Sequence, residues 1–109
     1  MSHRIVLHRW DEVPLDKVTE MVACKAIAGA SLTMTQAYFK KGARVPLHAH
    51  GGELLIYVLQ GVVQVMAGAD DITVREGDLL VVPSGTSHQA EALDDAFVLT
   101  VSSPSPVAG

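Results

Sequence analysis

The sequence predicts an all-β protein, a sandwich or barrel of short strands. Turn-forming residues recur at short intervals: Ala28-Gly29, Lys41-Gly42, Gly51-Gly52, Gly61, Gly68-Ala69-Asp70-Asp71, Glu76-Gly77-Asp78, Pro83-Ser84-Gly85 and Asp94-Asp95. The stretches between them are too short for ordinary helices. They are rich in Val, Ile, Leu, Thr and aromatic residues, the types that suit a pleated, half-buried surface. A chain of 109 residues holds one core, since either half alone would bury too little surface to fold. With 49% hydrophobic and 18% charged residues, against about a quarter charged in ordinary globular proteins, the chain is no disordered acidic or basic tail.

Along the chain, His3 and His8 fall on an N-terminal segment and read as surface or interface residues. Trp10, the only tryptophan, reads as an anchor docking that segment on the core. Residues 11–20 leave room for a helical turn that Pro14 keeps short. Strands are expected over 31–40, 54–60, 62–66, 79–82 and 96–102. Met34, Met66 and the single Cys24 read as core filler. Leu54-Leu55-Ile56-Tyr57-Val58-Leu59 and Leu79-Leu80-Val81-Val82 are apolar on both faces, where a half-exposed strand would alternate with polar residues. Something must cover the outer face, either the folded-back N-terminal segment or a second copy, and a homodimer is the expectation.

Charge narrows the partners. The net charge is -4 and no basic block exceeds Lys40-Lys41, so a nucleic-acid footprint is not expected. The apolar run 54–59 is far short of the roughly 18 residues of a membrane span. One cysteine cannot form an internal disulfide, and Arg4, Arg9, Asp11 and Glu12 stand where a secretory segment would be apolar, so the expected setting is the cytoplasm.

The histidines carry the functional signal. His48 and His50 alternate, which places both rings on one face of a strand with Cβ atoms roughly 6–7 Å apart, close enough to converge on one ion. His88 follows the Pro83-Ser84-Gly85 turn at the start of another strand and can reach the same point. Three neutral nitrogens with open positions suit a catalytic or substrate-binding divalent transition ion: iron, manganese, nickel, copper or zinc. Gln36 and Tyr38 share a strand face with Leu32 and Met34. Strand parity leaves open whether that face or the Thr33-Thr35-Ala37 face points inward, so both are candidates for the substrate pocket and Tyr38 also for catalysis.

Two spacings frame these histidines: Gly42, five residues, His48-Ala49-His50, then Gly61; and Gly77, five residues, Pro83-Ser84-Gly85, two residues, His88. Together they resemble the paired motifs of the cupin superfamily, over about residues 33–103. The resemblance implies an antiparallel jelly-roll β-barrel, the double-stranded β-helix, with extra N-terminal strands in residues 1–30, the barrel in 31–103 and a loose tail in 104–109. It implies His48, His50 and His88 as metal ligands. It does not carry over a fourth: the position of the usual Glu, seven residues before Gly61, is Leu54. Glu53 is its neighbour, but one residue along a strand reverses the face, so only a bulge at Gly51-Gly52 would turn Glu53 inward as a ligand or catalytic acid. Ala92 replaces an asparagine that often closes the second motif.

Three neutral ligands leave a divalent ion its full charge, which favours anionic, chelating oxygen ligands such as keto acids, enolates or uronates. The expected function is a small metalloenzyme of dioxygenase, isomerase or lyase type, resembling single-domain bacterial cupins that include ones acting on sugar-derived uronates. The alternatives are a non-catalytic module that binds or senses a small ligand, and a scaffold whose metal site has degenerated.

Overall fold

The computed structural model describes residues 4–49 and 51–103. A 3₁₀ turn at Trp10–Glu12 is followed by ten strands: β1 (Asp16–Lys17), β2 (Val22–Ala28), β3 (Thr33–Phe39), β4 (Arg44–His48), β5 (Leu54–Gln60), β6 (Val62–Ala67), β7 (Asp70–Arg75), β8 (Leu79–Val82), β9 (His88–Ala92) and β10 (Ala96–Ser102). The room left for a helical turn becomes that single 3₁₀ turn, which ends before Pro14. His3 and the 104–109 tail lie outside the described residues.

The strands form two antiparallel sheets. One has six strands in the order β1-β2-β3-β10-β5-β8; the other has four, β4-β9-β6-β7. They make a jelly roll whose hydrogen-bond ladders do not run from one sheet into the other among the described residues, so the barrel is unclosed. Consecutive strands repeatedly change sheet, as at Gly61, where β5 of the larger sheet passes into β6 of the smaller.

The doubly apolar strands now separate into two faces. On β5, Leu54, Ile56 and Val58 are buried with Val63 and Val65 of β6, Val74 of β7, Val82 of β8, and Ala96 and Val98 of β10. Period-two alternation sends Leu55, Tyr57 and Leu59 to the outer face, and on β8 it leaves Leu79 and Val81 58% and 51% exposed. The N-terminal segment docks near β2, where the Lys25 ammonium donates to the Trp10 carbonyl at 2.9 Å; His8 there is exposed. Cys24 is half-buried, and its thiol is held above its ordinary pKa by desolvation first and by the Asp16 carboxylate second, so it stays protonated. Asp16 faces it in register across β1 and β2. Among the described residues no helix is long and apolar enough to cross a membrane.

Two further segments form strands. The stretch 70–75 forms β7, because Gly68 takes φ 60 and Ala69 does not, the pattern of a two-residue type II′ hairpin turn that starts the return strand at once. Residues 44–48 form β4 despite Pro46, for a reason that bears on the site.

Candidate functional site

Pro46 has no N–H to give a ladder, and prolines within sheets sit at edges or bulges. Strand β4 is both an edge strand and bulged there: Val45 pairs with Ala90 and His48 with His88, so three steps along β4 match two along β9. The extra residue restores His48 to the face that Val45 occupies, although their spacing is odd. Both line a cavity of about 230 Å³ between the sheets, with His88 and Ala90.

His48 and His88 are register partners on adjacent strands, and their ring centroids lie 4.4 Å apart at a 53° tilt. Each ring is oriented by the same local device. His48 Nδ1 lies 2.8 Å from the Pro46 carbonyl and His88 Nδ1 3.0 Å from the Thr86 carbonyl, each two residues upstream. A carbonyl oxygen only accepts, so both Nδ1 atoms donate, and in the neutral ring this leaves Nε2 as the atom able to ligate. Fixing one imidazole nitrogen through a backbone carbonyl so that the other can ligate is how metal-binding histidines are commonly supported. His88 is 3% exposed, the only buried polar side chain among the described residues, and the Thr86 carbonyl satisfies its Nδ1.

The two motif loops meet. The Ser84 hydroxyl in the Pro83-Ser84-Gly85 turn donates to the Gly51 carbonyl beside the first motif. The histidine pair is therefore tied together by the β4–β9 ladder and by this contact between loops.

The other sequence candidates among the described residues fall elsewhere. His50 lies outside the described residues. Among the described residues no group of three or more His, Cys, Asp or Glu side chains gathers as a metal cluster. Glu53 is exposed while Leu54, 7% exposed, lines the cavity. The backbone of Glu53 exchanges hydrogen bonds with Ser103, its N–H donating to the Ser103 hydroxyl and its carbonyl accepting from the Ser103 N–H. That pairing holds the ordinary alternation, so no bulge turns Glu53 inward. Gln36 and Tyr38 do not line this cavity. The inward parity of β3 belongs to Thr35 and Phe39, which line the cavity, while Tyr38 stacks on Phe97 on the outer face at 4.6 Å and 8°. Sequence reading did not pick out the cavity hydroxyls of Thr35, Thr100 and Ser102. Their signal was present in the alternation Val98-x-Thr100-x-Ser102, but parity had no anchor until Val98 was known to be buried.

The jelly roll and its paired histidine motifs define a class. Residues 36–102 match the family model described as the Cupin domain, and the chain belongs to the cupin family. It is similar to KdgF from Halomonas sp., with 30% identity and a TM-score of 0.79 over 86% of this chain and 90% of that one. It shares its fold with an RmlC-like cupin from Shewanella frigidimarina NCIMB 400 at 20% identity and a TM-score of 0.84, over 97% and 96% of the two chains. An oxalate decarboxylase from Lactobacillus farciminis gives 21% identity and a TM-score of 0.80, over 97% of this chain and 36% of that one. Among proteins of curated function, none matches this chain.

Proposed function

We propose that this cupin binds a divalent transition ion, iron, manganese, nickel, copper or zinc, through His48, His50 and His88, and presents it to a small anionic or chelating ligand. The observation that carries the reading is the pair of imidazoles, register partners on adjacent strands and each held through Nδ1 by a backbone carbonyl, at a cavity otherwise mostly apolar. His50, two residues beyond His48, supplies the third nitrogen by sequence. When bound, such an ion polarises a coordinated carbonyl or enolate oxygen. The residues of the chain hold it, exclude water with Leu54, Ile56, Val63 and Val65, and orient the ligand.

Metal content of tag-free protein, measured by elemental analysis before and after loading, tests this. About one ion per chain is expected, falling at least tenfold in occupancy in His48→Ala and His88→Ala. A wild type that takes up no ion under any loading would overturn the reading.

One observation favours a second reading, a binding or sensing module. The described cavity lining offers no carboxylate, lysine, arginine or tyrosine, so a side-chain acid or base other than imidazole is lacking. Turnover of a chelating acid by the loaded protein supports the enzyme of dioxygenase, isomerase or lyase type; tight binding without turnover supports the module.

We further propose that the chain is a homodimer paired through the outer face of the six-stranded sheet. Met34, Tyr38, Tyr57, Leu79 and Val81 are exposed there, and β8 is an apolar edge strand with β5 as its only neighbour. Four strands at about 4.8 Å spacing and some seven residues long give this face roughly 19 by 23 Å. That is about 440 Å², roughly half of one partner's share of a standard interface. Two copies related by a two-fold axis bury the same apolar residues twice. Light scattering should give twice the chain mass, and Leu79→Lys with Val81→Lys should give monomers; a monomeric wild type would count against it.

A further inference from the structure

The cavity has two unlike walls. The four-stranded sheet contributes His48 and His88. Opposite them, the six-stranded sheet contributes Thr35 from β3 and Thr100 and Ser102 from β10. Thr100 and Ser102 share one face of β10 by alternation, and Thr35 is the register partner of Thr100. Ser102 in turn stands in register with Leu54. Three hydroxyls are thereby gathered into one polar strip, and the remaining described lining is Phe, Val, Leu, Ile and Ala.

Valine fills nearly the same space as threonine without a polar atom, and β10 uses it one step earlier, at the buried Val98. Packing alone therefore does not call for hydroxyls at the two positions that follow. A hydroxyl both donates and accepts, so it matches a neutral hydroxyl or carbonyl of a ligand. It does not balance a full charge, and an ionised group placed against this wall would lose its hydration with no counter-charge among the described lining residues. The volume, about 230 Å³, lies below the roughly 300–1,000 Å³ of pockets that take drug-sized molecules.

We propose that Thr35, Thr100 and Ser102 form a specificity wall, selecting a small hydroxy acid whose carboxylate end faces the histidines and whose further, neutral hydroxyl meets the three side chains. This rests on the metal-centre reading, and the test separates the two. Nickel-loaded protein is titrated calorimetrically with glycerate and with lactate, which share the α-hydroxy carboxylate and differ in one distal hydroxyl. The wild type should bind glycerate about two- to twelvefold more tightly, the range of one net hydrogen bond. In Thr100→Val, Thr35→Val and Ser102→Ala, lactate affinity should be unchanged and the preference should shrink; should one variant not fold, the other two carry the same comparison. Equal binding of both acids by the wild type, or a preference that survives all three substitutions, overturns the wall. Nickel uptake with neither acid bound overturns the ligand class and leaves the metal centre standing. No uptake of nickel or of any of the other four ions overturns both.

Discussion

Replacing Leu54 with glutamate is expected to tighten divalent-ion binding by roughly tenfold to a hundredfold, at least the range seen when groups that merely support a ligand are lost. Leu54 is 7% exposed and lines the cavity with both histidines, so a carboxylate at this position starts from the correct face. It would add a charged oxygen to a set of neutral nitrogens and offset one unit of the ion's charge. The same substitution should lower the stability of the metal-free protein, because its carboxyl would sit among Ile56, Val82 and other buried aliphatic groups. Burial raises the pKa of such a carboxyl, so the folded form holds the proton more tightly than the unfolded form does. The loss is then small at acidic pH and grows as the pH rises above the unfolded carboxyl value. Saturation with metal at about a hundred times Kd should restore about 2.7 kcal/mol. Competition against a chromophoric chelator, run on wild type, Leu54→Glu and Leu54→Gln, measures the affinity, and thermal melts with and without metal measure the linkage. An affinity unchanged in both variants would show that a side chain at 54 does not reach the ion.

Gly61→Ala should be strongly destabilising. Gly61 has φ 90, in the region that L-residues rarely adopt, and a Cβ there would press on the Asp95 carbonyl and lie 2.8 Å from Ala96 Cα. Those are backbone atoms of the chain entering β10, which cannot turn aside as a flexible side chain does. Gly77 offers the control: its φ is 88, but nothing lies within 4 Å of the Cβ position. Gly77→Ala thus carries the conformational penalty alone, about 1 kcal/mol, whereas Gly61→Ala adds an overpacking term and should reach about 3–4 kcal/mol in total. At roughly 4–8 °C per kcal/mol for a domain of this size, the melting temperature should fall by about 15 °C or more, against about 5 °C for Gly77→Ala. Equal shifts in the two variants would show that the approach of β10 to Gly61 does not constrain the fold.

Much of this was legible in the chain. The Gly, Pro and Asp punctuation marked strands at 54–60, 79–82 and 96–102 that the structure reproduces residue for residue, because turn chemistry and period-two burial are local properties. Val22–Ala28 and Asp70–Arg75 were not marked, since neither presents the dense apolar alternation that identifies a buried strand without its neighbours. His88 was read as able to reach the same point as His48 from a neighbouring strand, and the two stand opposite one another in register on β4 and β9.

The sequence by itself determined the all-β class, the strands at 54–60, 79–82 and 96–102, the family motifs and the apolar excess on the outer face. Each is written in the order and type of neighbouring residues. Tertiary structure decided which parity is inside. It put Thr35 rather than Gln36 into the cavity, left Glu53 exposed while burying Leu54, and used the bulge at Pro46 to return His48 to the inner face. A strand carries two faces that differ only by a one-residue shift, and nothing within a single strand distinguishes core from solvent. That distinction arises when a second sheet packs against one face and removes it from water.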